Sequence, residues 1–334
     1  MIGSQQVMAN LAASTERVGL DPLTRRLHVL NAWLGDDLTS LESAIVGSVF
    51  GDNLAEASAR YLLDRRGKRI RPLCVLLAAR LGGRVLDADV RDIAVAAELV
   101  HAATLLHDDV IDLGDERRGA PAARMVFGNA ASVLGGDHLL VTALQLVART
   151  GHSQLLTGLL TVIAEMVDAE ALQLERRGRF DPDRSVYLRV AKGKTAALFS
   201  WALQAGGALG GLSDAEQARL SKTGEALGLA FQLVDDVLDF DDSETGKTAL
   251  ADVREGKLTW PLIVGAERDP EILTLVRAGQ DPTARLKAVG ALADSRTFAA
   301  DQIAVAERAL MGLPDGAARA ALVAVGRGLV ERMA

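Results

Sequence analysis

Apolar residues recur every three or four positions along nearly the whole chain, which is the spacing of an amphipathic helix. Leu30, Leu34 and Leu38 show this pattern within residues 23–50. Glycine or proline interrupts it at intervals, as at residues 82–83, and these interruptions predict helix ends. Helices are predicted over residues 23–50, 54–65, 71–81, 89–113, 129–150, 153–178, 182–206 and 214–240, from Trp260 onward, and over 283–292, 295–312 and 315–332, with loops over 114–122 and 241–257.

No segment alternates apolar and polar residues for more than a few positions, so the pattern predicts no extended β-sheet. The composition agrees, because 49% of the 334 residues are hydrophobic but only 4% are aromatic. A core of Ala, Leu and Val favours helices over a β-sandwich. The chain has no Gly/Ser-rich linker, so we expect one all-α domain over residues 1–334, with its motif-bearing core at about 60–265.

The charge balance and the cysteine content exclude several classes of function. A net charge of −7 argues against nucleic acid as the main partner. Cys74 is the only cysteine, which excludes a disulfide within the chain and a cysteine-based zinc site and favours a cytoplasmic location. Residues 1–18 lack the apolar stretch of a signal peptide, and no apolar run of about 18 residues predicts a transmembrane helix.

The pattern Asp-Asp-X-X-Asp occurs twice, each time at the end of an Ala/Leu-rich helical run. Residues 108–112 are the first acidic set and residues 235–239 the second. Within a set, the first and last carboxylates lie four positions apart and share one helix face. Clustered anions raise one another's pKa unless a cation is present, and oxygen-only ligands favour Mg²⁺. The carboxylates are Asp108, Asp109 and Asp112 in the first set and Asp235, Asp236 and Asp239 in the second.

An acidic helix end can also be a solvated face or a cap, and a single copy would be explained equally well in that way. The residues before both sets are apolar, which predicts carboxylates at the mouth of a core. Basic residues near both sets suit a phosphate-rich ligand, although any one of them alone would be an ordinary exposed cation. They are Lys68 and Arg71 at a helix start, Arg117 and Arg118 after the first set, Lys192 and Lys194, and Lys247 and Lys257 after the second set.

Six or more motifs occur in the order in which the trans-isoprenyl diphosphate synthases, or polyprenyl synthetases, carry them. The chain resembles this family from about residue 60 to 265. The resemblance implies a single large helical bundle of the isoprenoid synthase type with a central cavity, and a homodimer. The motifs are GKRIRP at 67–72, LLHDDVIDLGDERRG at 105–119, FGN at 127–129, EALQ at 170–173, KTAALF at 194–199, FQLVDDVLDF at 231–240 and GKTALADVREGKLTWPLI at 246–263.

The resemblance also implies Mg²⁺ as the cofactor, with three ions per active site, and two neighbouring diphosphate sites. Asp108, Asp112 and Asp235 would bind Mg²⁺. Asp109, Asp236 and Asp239 would bind it directly or through water. The allylic diphosphate would be held by Arg117, Lys194, Lys257, Thr195, Gln232 and Lys247, and isopentenyl diphosphate by Lys68, Arg71, His101 and Arg118. The catalytic residues expected on this basis are Asp108, Asp109, Asp112, Arg117, Lys194, Asp235, Asp236 and Lys257.

Three positions depart from the family's pattern. Arg66 stands where a glycine is usual, Ala169 replaces a frequent glycine, and His138 replaces an aromatic residue. None of the three is an expected ligand, so the departures bear on fine geometry rather than on activity.

The implied reaction joins isopentenyl diphosphate head to tail to an allylic diphosphate and yields an all-trans polyprenyl diphosphate. The helix that carries the first set would form a wall of the product cavity. Val100, Ala103 and Thr104 lie eight, five and four positions before Asp108, and none of them is aromatic. We therefore expect a product longer than C20, within C30–C50, that is delivered to a membrane, although alanine here could equally serve helix packing.

Four alternatives stay open at this point. A short-chain farnesyl or geranylgeranyl diphosphate synthase is compatible with the same acidic sets. A class I terpene cyclase usually carries an Asn/Ser/Glu metal motif at the second set, where this chain has Asp-Asp-Val-Leu-Asp. A non-catalytic synthase subunit would have lost aspartates, and a helical scaffold would bind no diphosphate.

Overall fold

A computed structural model describes residues 21–65, 67–240 and 250–331, and helices dominate this part of the chain. The strands in it are one antiparallel pair of two residues each, so the all-α prediction is confirmed. The elements in chain order are α1 (Asp21–Val46), α2 (Leu54–Leu63), α3 (Ile70–Leu81), α4 (Ala88–Ile111), β1 (Glu116–Arg117), β2 (Ala120–Pro121), α5 (Ala123–Phe127), α6 (Asn129–Arg149), α7 (Ser153–Arg176), α8 (Arg184–Ala191), a π turn (Lys192–Ala196), α9 (Ala197–Leu209), α10 (Asp214–Leu238), α11 (Ala251–Arg254), α12 (Trp260–Arg268), α13 (Glu271–Arg277), α14 (Thr283–Ala288), α15 (Ala291–Leu310) and α16 (Ala317–Val330).

Local signals in the sequence explain where several helices begin. At the start of α2, the side chain of Asn53 accepts a hydrogen bond from the N–H of Glu56, and the N–H of Asn53 donates to the Glu56 carboxylate. This reciprocal pair is a capping box. Asp87 caps α4 by accepting from the N–H of Val90 at 3.0 Å. Pro261 lies in the first turn of α12, where a missing N–H costs the helix nothing.

The apolar spacing predicts one helix over residues 182–206, and this prediction is wrong in one respect. The structure divides the span into α8, the π turn and α9. A π turn shifts the hydrogen bonds by one residue without disturbing the apolar pattern on either side, so periodicity does not reveal it. The predicted loop over 241–257 contains the short helix α11, and residues 241–249 lie outside the described part of the chain.

The chain forms two compact units. Unit 1 takes its described residues from the spans Met1–Leu160, Trp201–Ser221 and Gly312–Val325, and unit 2 from Thr161–Ser200, Lys222–Met311 and Gly326–Ala334. The single domain predicted over residues 1–334 stays a prediction.

In unit 1, α4 lies at the centre and packs against α3 and α6. Two adjacent glycines let α6 come close to its neighbours. A Cβ on Gly135 would lie 3.0 Å from the carbonyl oxygen of Ala55, and one on Gly136 would lie 2.2 Å from Nε2 of His107. Glycine therefore places α6 against α2 and α4, and with them fixes the helix that carries the first acidic set.

In unit 2, α12 is buried along most of its length and packs against α15. Its first residue, Trp260, stacks on Phe298 with ring centroids 4.8 Å apart and contacts Tyr187 at 5.3 Å. The C-terminal half of α10 adds Leu233 and Val237 to the same apolar cluster. The second acidic set therefore lies on a helix whose other face is held in a packed core.

Among the described residues, α6 has the length and apolar composition of a membrane-spanning helix. The reason is its content of Ala, Leu and Val, which a core helix shares. It buries Leu139, Ala143 and Val147 and packs against α2 and α4. One face of α6 is therefore packed inside unit 1, and the other exposes apolar residues such as Leu134 and Val141.

Candidate diphosphate and metal-binding sites

Both acidic sets occupy the C-terminal end of a long helix. The first set ends α4, and the second ends α10. The helix dipole concentrates negative potential at that end, and neither helix has a basic residue in its last turn. The carboxylates therefore add to an unfavourable field, and nearby cations or hydrogen-bond donors from elsewhere in the fold must offset it.

Within the first set, Asp109 points into the protein. It is 1% exposed, and its Oδ1 accepts hydrogen bonds from Nε and Nη2 of Arg117 at 2.9 and 2.5 Å. Burial raises the pKa of Asp109, and the guanidinium acts in the opposite direction. Its other oxygen, Oδ2, is buried and has no hydrogen-bond partner among the described residues. The contacts thus favour an ion-pairing role for Asp109, while Asp108 and Asp112 lie on the less buried side of the helix end.

The β1–β2 hairpin carries Arg117 and Arg118 to their positions. Arg118 and Gly119 both have positive φ, 55° and 72°, as the two central residues of a tight hairpin turn require. The strand ends at Arg117 and the turn begins at Arg118, and the two arginines have different partners. Arg117 reaches Asp109, and Nη1 of Arg118 donates to the carbonyl oxygen of Arg65 at 2.9 Å.

The segment before α3 depends on Arg69, a residue that the sequence did not single out. Its guanidinium donates to Glu98 at 2.7 Å, to both carboxylate oxygens of Glu42 at 3.1 Å, and to the carbonyl oxygen of Leu63 at 2.9 Å. The side chain is completely buried. Burial lowers its pKa, but the charges and hydrogen bonds of Glu98 and Glu42 outweigh this effect and raise it. Arg69 therefore anchors the segment and leaves its neighbours Lys68 and Arg71 for other contacts.

The residues expected to bind isopentenyl diphosphate come together in unit 1. Arg118 lies against Gly67, where an added Cβ would be 2.9 Å from its Nη2. Burial, and then the charges of Arg71 and Arg118, hold the pKa of His101 well below its usual range. His101 is therefore neutral among cations. Lys68 is exposed beside them and Arg71 is mostly buried. A group of cations around a neutral imidazole suits an anionic ligand.

Within the second set, Asp236 is also buried, at 1% exposure. Its Oδ2 accepts hydrogen bonds from the Tyr187 hydroxyl at 2.6 Å and from the N–H of Trp260 at 3.2 Å. Its Oδ1 accepts from Nε2 of Gln232 at 2.8 Å. Burial raises the pKa of Asp236 to about 6, although these hydrogen bonds lower it. Three donors thus fix the orientation of this carboxylate.

Asp239 has a different task in the same set. Its oxygens accept from the N–H groups of Ala251 and Asp252 at 3.1 and 3.3 Å, at the start of α11. The carboxylate caps that short helix and so ties the end of α10 to the segment that carries Lys257. Direct or water-mediated metal binding by Asp109, Asp236 and Asp239 stays a prediction, and their contacts favour positioning roles.

The π turn carries Lys194 and Thr195. It depends on two glycines, because a Cβ on Gly193 would lie 2.7 Å from that of Ala169 and one on Gly228 would lie 2.4 Å from the Cα of Ala196. Close packing of this kind fits the frequent use of π turns at functional sites. Nζ of Lys194 pairs with the Glu170 carboxylate and donates to Gln173 at 3.1 Å.

A cavity of about 170 Å³ in unit 2 brings four of the predicted residues together. Asp252, also on its wall, is one that the sequence did not single out. Burial, and then Asp236 and Asp239, raise the pKa of Asp252 to about 8. Its place in the GKTALADVREGK motif was the signal available in the sequence. The predicted residues on the wall are Lys194, Gln232, Asp236 and Lys257.

Two further predictions have different outcomes. Lys247 falls within residues 241–249 and so lies outside the described part of the chain.

Val100 and Ala103 are each 1% exposed on α4, and the Thr104 hydroxyl donates to the carbonyl oxygen of His101 at 2.9 Å. A product-lining role for these three residues stays a prediction, as does the central cavity.

The acidic sets fit Mg²⁺ by their chemistry. All six side chains offer hard oxygen donors, and the buried Oδ2 of Asp109 has no hydrogen-bond partner among the described residues. No three His, Cys, Asp or Glu side chains within that part of the chain are grouped closely enough to hold a metal by themselves. Mg²⁺ usually takes one or two carboxylates and completes its shell with water and phosphate oxygens.

Comparison with known proteins decides the family. Residues 52–291 match the family model described as polyprenyl synthetase. The chain belongs to the polyprenyl synthetase family. The octaprenyl diphosphate synthase of Escherichia coli (strain K12) is 36% identical to it over 320 aligned positions, and the match covers 92% of this chain and 99% of that protein.

Two solved structures are similar to this polyprenyl synthetase over nearly their whole length. A polyprenyl synthase from Caulobacter crescentus CB15, complexed with calcium and isoprenyl diphosphate, is 34% identical with a TM-score of 0.84, covering 91% of this chain and 97% of that one. A decaprenyl diphosphate synthase from Rhodobacter capsulatus is 33% identical with a TM-score of 0.84, covering 92% and 99%. The resemblance in the sequence is confirmed, the chain is a prenyltransferase, and its family depends on Mg²⁺.

Replacing Arg69 by Met tests the buried ion pairs of unit 1. The variant keeps the length of the side chain but leaves Glu98, which is 2% exposed, without its cation. We expect the free energy of unfolding to fall by about 3–5 kcal/mol, measured by urea denaturation. Arg327→Met is the control, because Arg327 pairs with Glu307 at the surface and its loss should cost about 0–1 kcal/mol. Equal losses in the two variants would contradict the anchoring role of Arg69.

Proposed function

We propose that this polyprenyl synthetase condenses isopentenyl diphosphate head to tail with an allylic diphosphate and makes an all-trans product longer than C20, within C30–C50. One observation carries the proposal: each unit has an acidic set at a helix C-terminus and cationic side chains on neighbouring segments of the same unit. Such a pairing suits a ligand that carries both metal and diphosphate. The long-chain relatives support the product class.

The cations of unit 1 would bind isopentenyl diphosphate. Lys68, Arg71 and Arg118 supply charge, and Arg guanidinium groups can hold phosphate oxygens through paired hydrogen bonds. Burial, and then the surrounding cations, hold the pKa of His101 well below its usual range, so it stays neutral. It can therefore donate one hydrogen bond to the ligand without adding a charge, which helps to orient the diphosphate.

Lys194 and Lys257, the cations of unit 2, would bind the allylic diphosphate, as the family resemblance implies for Arg117 as well. Lys194 now pairs with Glu170, and Lys257 pairs with Glu255 at 2.7 Å. These carboxylates hold the two lysines in place until the substrate arrives. The diphosphate then competes with the carboxylates for both ammonium groups. Thr195, Gln232 and Lys247 complete this proposed group.

Asp108, Asp112 and Asp235 are our proposed Mg²⁺ ligands, for three ions. When bound, Mg²⁺ supplies positive charge that stabilises the leaving diphosphate. The lysines would stabilise the leaving diphosphate as the allylic C–O bond breaks, and an apolar pocket would keep water from the allylic cation that is left. The double bond of isopentenyl diphosphate then attacks this cation, and the released diphosphate takes the final proton.

A direct test supplies the purified protein with farnesyl diphosphate, isopentenyl diphosphate and Mg²⁺ and measures the products by mass spectrometry. We expect C30–C50 products, and a fall in kcat of about 100-fold or more in Asp235→Asn, because charge stabilisation at the leaving group is lost. Products of only C15 or C20 would identify a short-chain synthase. Diphosphate release without isopentenyl diphosphate would identify a terpene cyclase. If the wild type showed no turnover, the proposed reaction would be rejected in favour of a helical scaffold or a non-catalytic synthase subunit.

The product-length hypothesis has its own variant, Ala103→Phe. A ring one or two turns below the first acidic set should block elongation and shorten the product, because one helical turn rises by about 5.4 Å, close to one isoprene unit. Ala300→Phe, on the exposed side of α15, is the matched control and should leave the product unchanged. An unchanged product from a folded Ala103→Phe variant would exclude this wall of α4 as the length determinant.

We also infer a homodimer. The helix α6 exposes Leu134 and Val141, seven residues apart, on the side away from its buried residues. The helix α7 exposes Leu160, Val167 and Leu174 at the same spacing. Apolar stripes of this kind suit a second copy of the chain better than water. A cytoplasmic location and delivery of the product to a membrane stay predictions.

Val141→Glu should shift the protein towards a monomer, because a carboxylate in an apolar contact is costly to desolvate. Analytical ultracentrifugation measures the change. Val85→Glu is the control: Val85 is similarly exposed but lies outside both stripes, so the dimer should persist. A monomeric wild type, or a dimer that Val141→Glu leaves intact, would reject α6 as the interface.

A further inference from the structure

Tyr187 carries a buried hydroxyl and is not one of the site residues expected from the sequence. It lies on α8, one turn before the π turn that bears Lys194, and it is 9% exposed. We propose that Tyr187 is a positioning residue which, through its hydrogen bond to Asp236, orients the second acidic set and the Lys194 segment for an allylic diphosphate and Mg²⁺. The inference rests on the proposed function.

The hydroxyl is the donor in this contact. It lies 2.6 Å from Oδ2 of Asp236. Burial, and then the Asp236 carboxylate, raise the pKa of Tyr187 well above its usual range, so the hydroxyl keeps its proton. The N–H of Trp260 donates to the same oxygen at 3.2 Å. Asp236 therefore receives donors from α8 and α12 on one oxygen, and its second oxygen faces along its own helix.

That second oxygen determines how Gln232 is oriented. Oδ1 of Asp236 can only accept, so the amide nitrogen of Gln232 must point towards it, at 2.8 Å. The amide oxygen then faces the other way and accepts from the Thr195 hydroxyl at 2.8 Å. A continuous chain of hydrogen bonds thus runs from Tyr187 through Asp236 and Gln232 to Thr195, next to Lys194.

This chain ties two segments together at two points. Tyr187 and Thr195 lie eight residues apart on one segment, and Asp236 and Gln232 lie one helical turn apart on α10. Two separate points of attachment fix both the sliding and the rotation of one helix against the other. They hold Asp235 and Lys194 in a set orientation, because each lies next to an attached residue.

The tyrosine ring has a separate packing role. It contacts the Trp260 ring at 5.3 Å in the apolar cluster of unit 2, and it does so without its hydroxyl. Tyr187→Phe therefore removes the hydrogen bond and keeps the packing. The loss of one donor frees Asp236 to turn and relaxes the orientation of both Asp235 and Gln232.

The experiment measures binding as well as activity. Isothermal titration calorimetry with farnesyl thiodiphosphate, an unreactive allylic analogue, gives the Kd at fixed Mg²⁺ and the Mg²⁺ concentration for half-maximal binding. For Tyr187→Phe we expect both the Kd of the analogue and the Mg²⁺ concentration for half-maximal binding to rise about tenfold. This is the effect of one lost hydrogen bond to a charged group. The KM for isopentenyl diphosphate should stay within about twofold, because its expected ligands lie in unit 1.

Ser295→Ala is the matched control. Ser295 is buried in unit 2, and its hydroxyl donates to the carbonyl oxygen of Ala291 at 2.7 Å, within its own helix α15. Its loss should leave Mg²⁺ and analogue binding unchanged. Tyr187→His retains a donor and should bind the analogue more tightly than Tyr187→Phe. The double variant Tyr187→Phe/Asp236→Asn should lose less binding free energy than the sum of the losses in the two single variants, because both substitutions act through one carboxylate.

The outcomes separate this inference from the proposed function. A wild type that binds no analogue with Mg²⁺ would reject the proposed function and the inference with it. An active wild type whose Tyr187→Phe variant matches Ser295→Ala in Mg²⁺ and analogue binding would overturn the inference alone. If Tyr187→Phe does not fold, Tyr187→His compared with Tyr187→Leu repeats the test with and without a donor, and equal binding by the two would overturn it.

Discussion

Negative charge gathered at the C-terminal ends of two helices is the constraint on which the functional part of this protein depends. The carboxylates of each acidic set repel one another, and the helix dipole adds to the repulsion. A fold can tolerate this only where cations or hydrogen-bond donors meet the carboxylates. Arg117 meets Asp109, and Tyr187, Gln232 and Trp260 meet Asp236. The remaining negative charge is what a bound metal cation would offset, together with the charge of a diphosphate.

The two sets solve the same electrostatic problem by different means. In the first, a guanidinium from a hairpin pairs with a buried carboxylate, so charge balances charge. In the second, Asp236 is met by neutral donors, and burial raises its pKa to about 6. A neutral donor orients a carboxylate without cancelling its charge. The orientation of Asp236 therefore depends on hydrogen bonds rather than on an ion pair.

The basic residues before α3 in unit 1 also differ in role: Arg69 stabilises the fold, and Lys68 and Arg71 are the proposed ligand-binding cations. Arg69 is fully satisfied by Glu42, Glu98 and a backbone carbonyl. An ion pair of this kind adds little net stability, because desolvation offsets attraction, but removing one partner is costly. Its value lies in fixing the segment that presents Lys68 and Arg71. One charge in the motif serves the fold so that its neighbours can serve the ligand.

The sequence by itself determined the helical class, most helix positions, the two acidic sets and the family, because these depend on periodicity, spacing and ordered motifs. It did not reveal the π turn, since a one-residue shift in hydrogen bonding leaves the apolar pattern intact. Nor did spacing distinguish Asp109, Asp236 and Asp239 from the other carboxylates, because neighbours on a helix can turn towards the core or towards a ligand. Only the tertiary structure decided how these three side chains turn, because most of the donors that orient them come from other segments, namely the hairpin, α8 and the starts of α11 and α12. Tyr187, Arg69 and Asp252 became visible for the same reason.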